Sequence, residues 1–175
     1  MRRAITQSDN DAAMALWAQL GTPTNAAVQT QAVLRATGDS DTSVPAQTVR
    51  PGFTPFGQAN WSLAAQAAFA AKLPCLANAA PVLQLMREVT PSQRWGVGTL
   101  PIPVAFKGGW GPGTNGAYLV RQMAVVTMSN GAQLGMALAF APSDGRFESA
   151  VTGLTALAHW AAENVTAEAG STPSC

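Results

Sequence analysis

Charged residues are what this sequence has least of. Ten lysines and arginines stand against nine aspartates and glutamates in 175 residues, a net charge of +1 with only 11% of positions charged. Soluble domains usually carry about a quarter, so the basic footprint of a nucleic-acid surface is excluded. His159 is the only histidine and sits within a helical pattern as a structural or surface residue. With Cys75 and Cys175, the only cysteines, it makes no convincing metal centre, and no cofactor is implied. Long apolar runs are missing too. Gln66 and Lys72 interrupt the Ala-rich stretch and Arg121 the Val-rich one, so nothing reaches the roughly 18 apolar residues of a membrane span. Behind Arg2 and Arg3 there is no apolar segment, so the first residues do not read as a signal peptide. The sequence also has no Gly-x-Ser-x-Gly elbow, no phosphate loop ending in Lys-Ser or Lys-Thr, and no carboxylate pair spaced for acid and base work.

What is present suffices for one core, since 47% of residues are hydrophobic. We expect one domain over 1–168 and a polar tail over 169–175. The two cysteines leave two readings: a disulfide that ties the tail to the body, which requires an oxidising compartment, or one buried and one dangling thiol. A terminal cysteine in a polar tail has no core of its own to join, which favours the disulfide.

Periodicity gives the order of elements. Ser8-Asp9-Asn10-Asp11 precedes a helical stripe of Ala13, Leu16, Trp17 and Leu20, closed by Gly21. From Thr22 to Ala59 the chain reads mostly as a long loop with a helix over Ala26–Thr37, and such loops often border sites. Ser62 caps an Ala-rich helix to Leu73 that Pro74 stops, and Ala79–Val89 forms another. Beyond Pro91 the pattern turns to strands: Val104–Phe106, a Gly-rich turn over Lys107–Gly116, Ala117–Met128, a turn at Ser129-Asn130-Gly131, and Gln133–Ala141. Phe147, Val151, Leu154, Ala158, Ala161 and Val165 then recur at three and four residues, the stripe of a closing amphipathic helix. The fold class is mixed α/β (α+β), a helical region followed by a small antiparallel sheet covered by a helix.

Two short strings carry chemistry in this order. Ser8-Asp9-Asn10 opens a helix, and Lys107-Gly108-Gly109 ends a strand before a hairpin. Each has an ordinary reading: Ser8 to Asp11 fits a Ser-x-x-Asp capping box, and a lysine before glycines suits a turn. Together, on these elements, they resemble the second and third motifs of the penicillin-recognising serine hydrolases, closest to class A β-lactamase-like proteins, over about Arg2 to Asn164. The resemblance implies a proton-shuttling role for Ser8, a substrate-amide contact for Asn10, and for Lys107 the support of that serine and the attraction of a substrate carboxylate. It places Gly109 against the substrate, makes the Trp110 N–H an oxyanion donor, and offers Arg121, in a looser alignment, as a second carboxylate anchor.

The sequence also departs from that family. Its nucleophile stands in a Ser-x-x-Lys turn, but Phe69 and Val104 stand three before Lys72 and Lys107, the only lysines. Without an adjacent base a serine hydroxyl is a poor nucleophile. Between Asp41 and Glu88 there is no acidic residue to activate a deacylating water. Gly108 replaces the usual Thr or Ser. The expectation is therefore the C-terminal segment of a β-lactamase-like serine hydrolase, from a late start or a broken gene, inactive alone and taking a β-lactam or peptidoglycan-like ligand. Its full-length parent would be extracytoplasmic, and exposed apolar surface would favour self-association. Two alternatives stand beside it: a catalytically silent binding module with the same cleft, and an unrelated structural α/β domain.

Overall fold

A computed structural model of the protein describes residues 1–53, 55–165 and 175. Five helices come first: α1 (Arg2–Thr6), α2 (Asn10–Ala18), α3 (Pro23–Ala36), α4 (Leu63–Lys72) and α5 (Ala80–Arg87). An antiparallel meander follows, β1 (Val104–Pro112), β2 (Tyr118–Thr127) and β3 (Gln133–Phe140), in the spatial order β1-β2-β3. The last helix, α6 (Phe147–Asn164), lies across it. From α2 onward this is the element order expected from the sequence, while α1 was not among the expected elements. The expected boundary at 168 and the tail to 174 lie outside the described residues.

Two elements differ from their expected extents. The first strand does not stop at Phe106. Glycines at 108, 109 and 111 continue the ladder to Pro112, with Gly108 opposite Gln122 and Gly109 opposite Arg121, and the turn shrinks to Gly113–Gly116. Pairing with the long apolar β2 outweighs the local preference of glycine for turns. Helix α3 starts at Pro23, three residues early, because the Thr22 hydroxyl accepts the Asn25 N–H at 3.3 Å and Pro23 suits the first helical position.

Strand residues alternate between the two faces of the sheet. On one face Ala105 and Val125 pack with Leu73, Leu83 and Met86. On the other, Phe106, Ala124 and Val126 pack with Val97 and Ala158, and Val120 with Trp95 and Leu154. Burial of side chains such as Phe106 and Leu154 contributes roughly 1.5–3 kcal/mol each. Helix α4 rests its backbone on β3: a Cβ at Gly135 would lie 2.1 Å from the Ala67 carbonyl oxygen and 2.4 Å from the Ala71 nitrogen. Buried Gln122 fixes the segment before β1, accepting the Val97 N–H at 2.8 Å and donating to the Trp95 carbonyl at 2.7 Å.

Cys75, just after α4, is joined by a disulfide to Cys175, with Cα atoms 5.4 Å apart across a sequence separation of 100. Exposed apolar side chains are present, among them Val28 on α3 and Trp160 on α6. No helix among the described residues is long and apolar enough to cross a membrane.

Candidate active site

The junction of α1 and α2 is fastened before any ligand arrives. Arg2 pairs with Glu88, and the Thr90 N–H donates to the Thr6 carbonyl at 2.9 Å. Ser8 then takes a φ of 55°, a left-handed conformation that costs a non-glycine residue of order 1–3 kcal/mol. The residue that caps α2 is Asp9, whose carboxylate accepts the Ala12 N–H at 2.7 Å and pairs with Arg3 at 3.3 Å. The capping-box reading of Ser8 to Asp11 is thereby corrected: the turn hands the cap to the next residue and leaves the Ser8 hydroxyl to other partners.

Those partners come from two distant places. Ser8 Oγ donates to Gln93 Oε1 at 2.8 Å, and Gln93 Nε2 donates to the Gln7 carbonyl at 3.0 Å. From β1, Lys107 Nζ donates to Ser8 Oγ at 2.5 Å and to the Gly108 carbonyl at 2.5 Å. The amine forms no ion pair among the described residues, and burial pushes its pKa down to about 8. At pH 7 roughly a tenth of the amine is therefore neutral, and most of it still carries its proton.

Ser8, Asn10, Lys107, Gly109, Trp110 and Arg121 line one cleft of about 440 Å³. The structure thus brings together every expected site residue except the two cysteines, which are joined to each other. Asn10 is exposed at the first turn of α2. Lys107 and Arg121 project from the same face of the sheet, because Lys107 pairs with Met123 and Gly109 with Arg121. That makes them diagonal neighbours, about 7–8 Å apart at the backbone. Burial, and after it the neighbouring Arg50 charge, holds the Arg121 guanidinium below its ordinary range.

Trp110 divides its roles between backbone and ring. The Gly108 carbonyl meets Lys107 Nζ and so faces the open edge of β1. Alternate residues of a strand share an edge, so the Trp110 N–H leaves on that side. Its ring packs 5.9 Å from Trp95 and 6.1 Å from Phe147 between centroids, and its centroid lies 5.9 Å from Lys107 Nζ. A side chain at Gly108 would press on the Trp95 ring at 3.3 Å, a physical reason for glycine at that position.

Three residues of the cleft region escaped the sequence reading. Gln93 carries no local signal, since only the fold brings its amide to Ser8. Arg50 and Phe56 enter the cleft from the loop after α3, and the one hint was a basic residue in a stretch without acids.

No family model matches this sequence, and no curated protein matches it. Solved structures do. The TLA-3 extended-spectrum β-lactamase matches with a TM-score of 0.75 at 16% identity, over 93% of this chain and 62% of that one. A β-lactamase from Chitinophaga pinensis DSM 2588 matches with a TM-score of 0.69 at 18% identity, over 93% and 63%. An ancestral class A β-lactamase follows with 0.57 at 23% identity, over 91% and 63%. The fold is β-lactamase-like, and the chain spans somewhat less than two thirds of the length of these neighbours.

Proposed function

We propose that this chain is the half-site of a β-lactamase-like serine hydrolase that receives the ligand, acting on β-lactam or peptidoglycan-type amides. The observation that carries this reading is the 2.5 Å contact between Lys107 Nζ and Ser8 Oγ at the wall of the cleft. A serine hydroxyl that accepts from a lysine ammonium of lowered pKa is poised to pass its own proton to a leaving nitrogen and take one from the ammonium in return. In this reading Asn10 meets the ligand amide, Lys107 and Arg121 attract its carboxylate, and the Trp110 N–H, beside unobstructed Gly109, donates to the carbonyl oxygen. Among the 175 residues neither lysine stands three after a serine, so no activated nucleophile is supplied. The chain alone binds and does not turn over. The disulfide fits an oxidising, extracytoplasmic compartment.

The test is fluorescence anisotropy of the purified chain with a fluorescent penicillin, followed by denaturing electrophoresis. Saturable binding that unlabelled benzylpenicillin displaces, that weakens in Lys107→Met, and that leaves no labelled band supports the reading. Absence of displaceable binding removes the β-lactam substrate class. A labelled band that disappears on mutation of one serine would show a nucleophile this reading denies.

A further inference from the structure

The cleft holds a surplus of positive charge that one carboxylate does not use up. Lys107 stands beside Ser8, while Arg121 stands diagonally across the β1–β2 ladder and Arg50 reaches the cleft from the loop after α3. Asp9, the only acid in the lining among the described residues, is already committed to Arg3 and to the cap of α2. Among the described residues, none of Arg50, Lys107 and Arg121 forms an ion pair. The backbone at Arg50 is held in place, since its N–H donates to Gln58 Oε1 at 2.7 Å, and its guanidinium lies 5.1 Å from the Phe53 ring centroid. Like charges brought together in a partly buried wall without a counterion are unfavourable until an anion arrives.

We infer that the cleft takes a ligand with two anionic groups, one held by Lys107 and Arg121 and the other at Arg50, the residue that selects for it. The inference rests on the proposed ligand-binding role of the cleft and adds the charge class of the ligand. Guanidinium groups grip carboxylates with paired hydrogen bonds, so the second anion gains more than a surface ion pair would give.

Two matched pairs of probes test it. Carbenicillin is benzylpenicillin with a second carboxylate on its side chain, and isophthalate is benzoate with a second carboxylate on its ring. Affinities are measured by calorimetry and thermal shift at fixed ionic strength, with the parent, Arg50→Gln and Arg50→Lys. The parent is expected to prefer each dianion by about tenfold. Arg50→Gln should bring that ratio to about one, and Arg50→Lys should restore part of it. If both penicillins bind equally well to the parent, or Arg50→Gln weakens both equally, the two-anion inference fails while the β-lactam reading stands. If neither penicillin binds but isophthalate is preferred over benzoate in an Arg50-dependent way, the β-lactam reading fails and the inference survives. If neither pair shows a preference for the dianion, the inference is overturned.

Discussion

Lys107 Nζ and Ser8 Oγ lie 2.5 Å apart although 99 positions separate them in sequence. The contact joins the turn before α2 to the exposed edge strand, so it closes only when the helical part and the sheet are docked. It also places an amine and a hydroxyl where neither has a carboxylate to satisfy it. Function and folding therefore report on each other at this point, and they can be separated by choice of substitution.

At Ser8 the backbone and the side chain have opposite preferences. Ser8→Gly removes the hydroxyl but relieves a φ of 55°, so thermal unfolding should show stability unchanged or raised by up to about 1 kcal/mol while penicillin binding is lost. Ser8→Val adds a β-branched side chain to the same conformation and should cost more than about 1 kcal/mol. Equal stabilities for the two variants would remove the strain argument.

Burial of Lys107 sets a pH dependence of known sign. Its pKa falls from 10.5 to about 8 in the folded state, so between these values the unfolded chain binds the extra proton. Stability then rises with pH across that window, and the penalty of the buried charge is fully felt below pH 8. Lys107→Met carries no such penalty, so at pH 7 it should unfold at higher denaturant than the parent by about 2–3 kcal/mol, and the gap should close by about pH 10.5. A gap independent of pH would show an ordinary, unshifted lysine.

At Gly135 the helix α4 and strand β3 touch backbone to backbone. Gly135→Ala places a Cβ 2.1 Å from the Ala67 carbonyl oxygen, and neither backbone can yield without undocking. We expect a loss of at least about 2 kcal/mol in urea denaturation. Gly111→Ala, where nothing lies within 4 Å, should stay within about 1 kcal/mol of the parent and serves as the control.

Helices α2 to α6, the three strands and the fold family were legible from sequence because each rests on a local or ordered signal. Examples are the three-and-four spacing of Leu154, Ala158 and Ala161, the turn at Asn130-Gly131, and the order of Ser8 before Lys107. What was not legible needed the third dimension. Ser8 and Asp9 are both competent caps, and only the left-handed turn decides between them. The strand past Phe106 is built of glycines whose extended form depends on pairing with Gln122 and Arg121. Gln93 and Arg50 belong to the cleft region through chain paths that no spacing encodes.

Reducing the Cys75–Cys175 disulfide should lower stability by about 3–5 kcal/mol, because a loop of this length loses much of its unfolded freedom when closed. The midpoint of chemical unfolding with and without reductant measures it, and Cys175→Ser should match the reduced parent. No difference would mean that the bridge constrains an already ordered chain end.

The same bridge turns the chain from Cys75 onward into a covalent ring that contains α5, the whole sheet and α6. Cut by a protease at the hairpin turn at Asn130 or the turn at Asn115, the chain would gain one water in mass and release nothing. Both pieces would travel together until a reductant parted them. A cut in the loop between α3 and α4 lies outside the ring and would shed the segment bearing Ser8, taking with it half of the cleft.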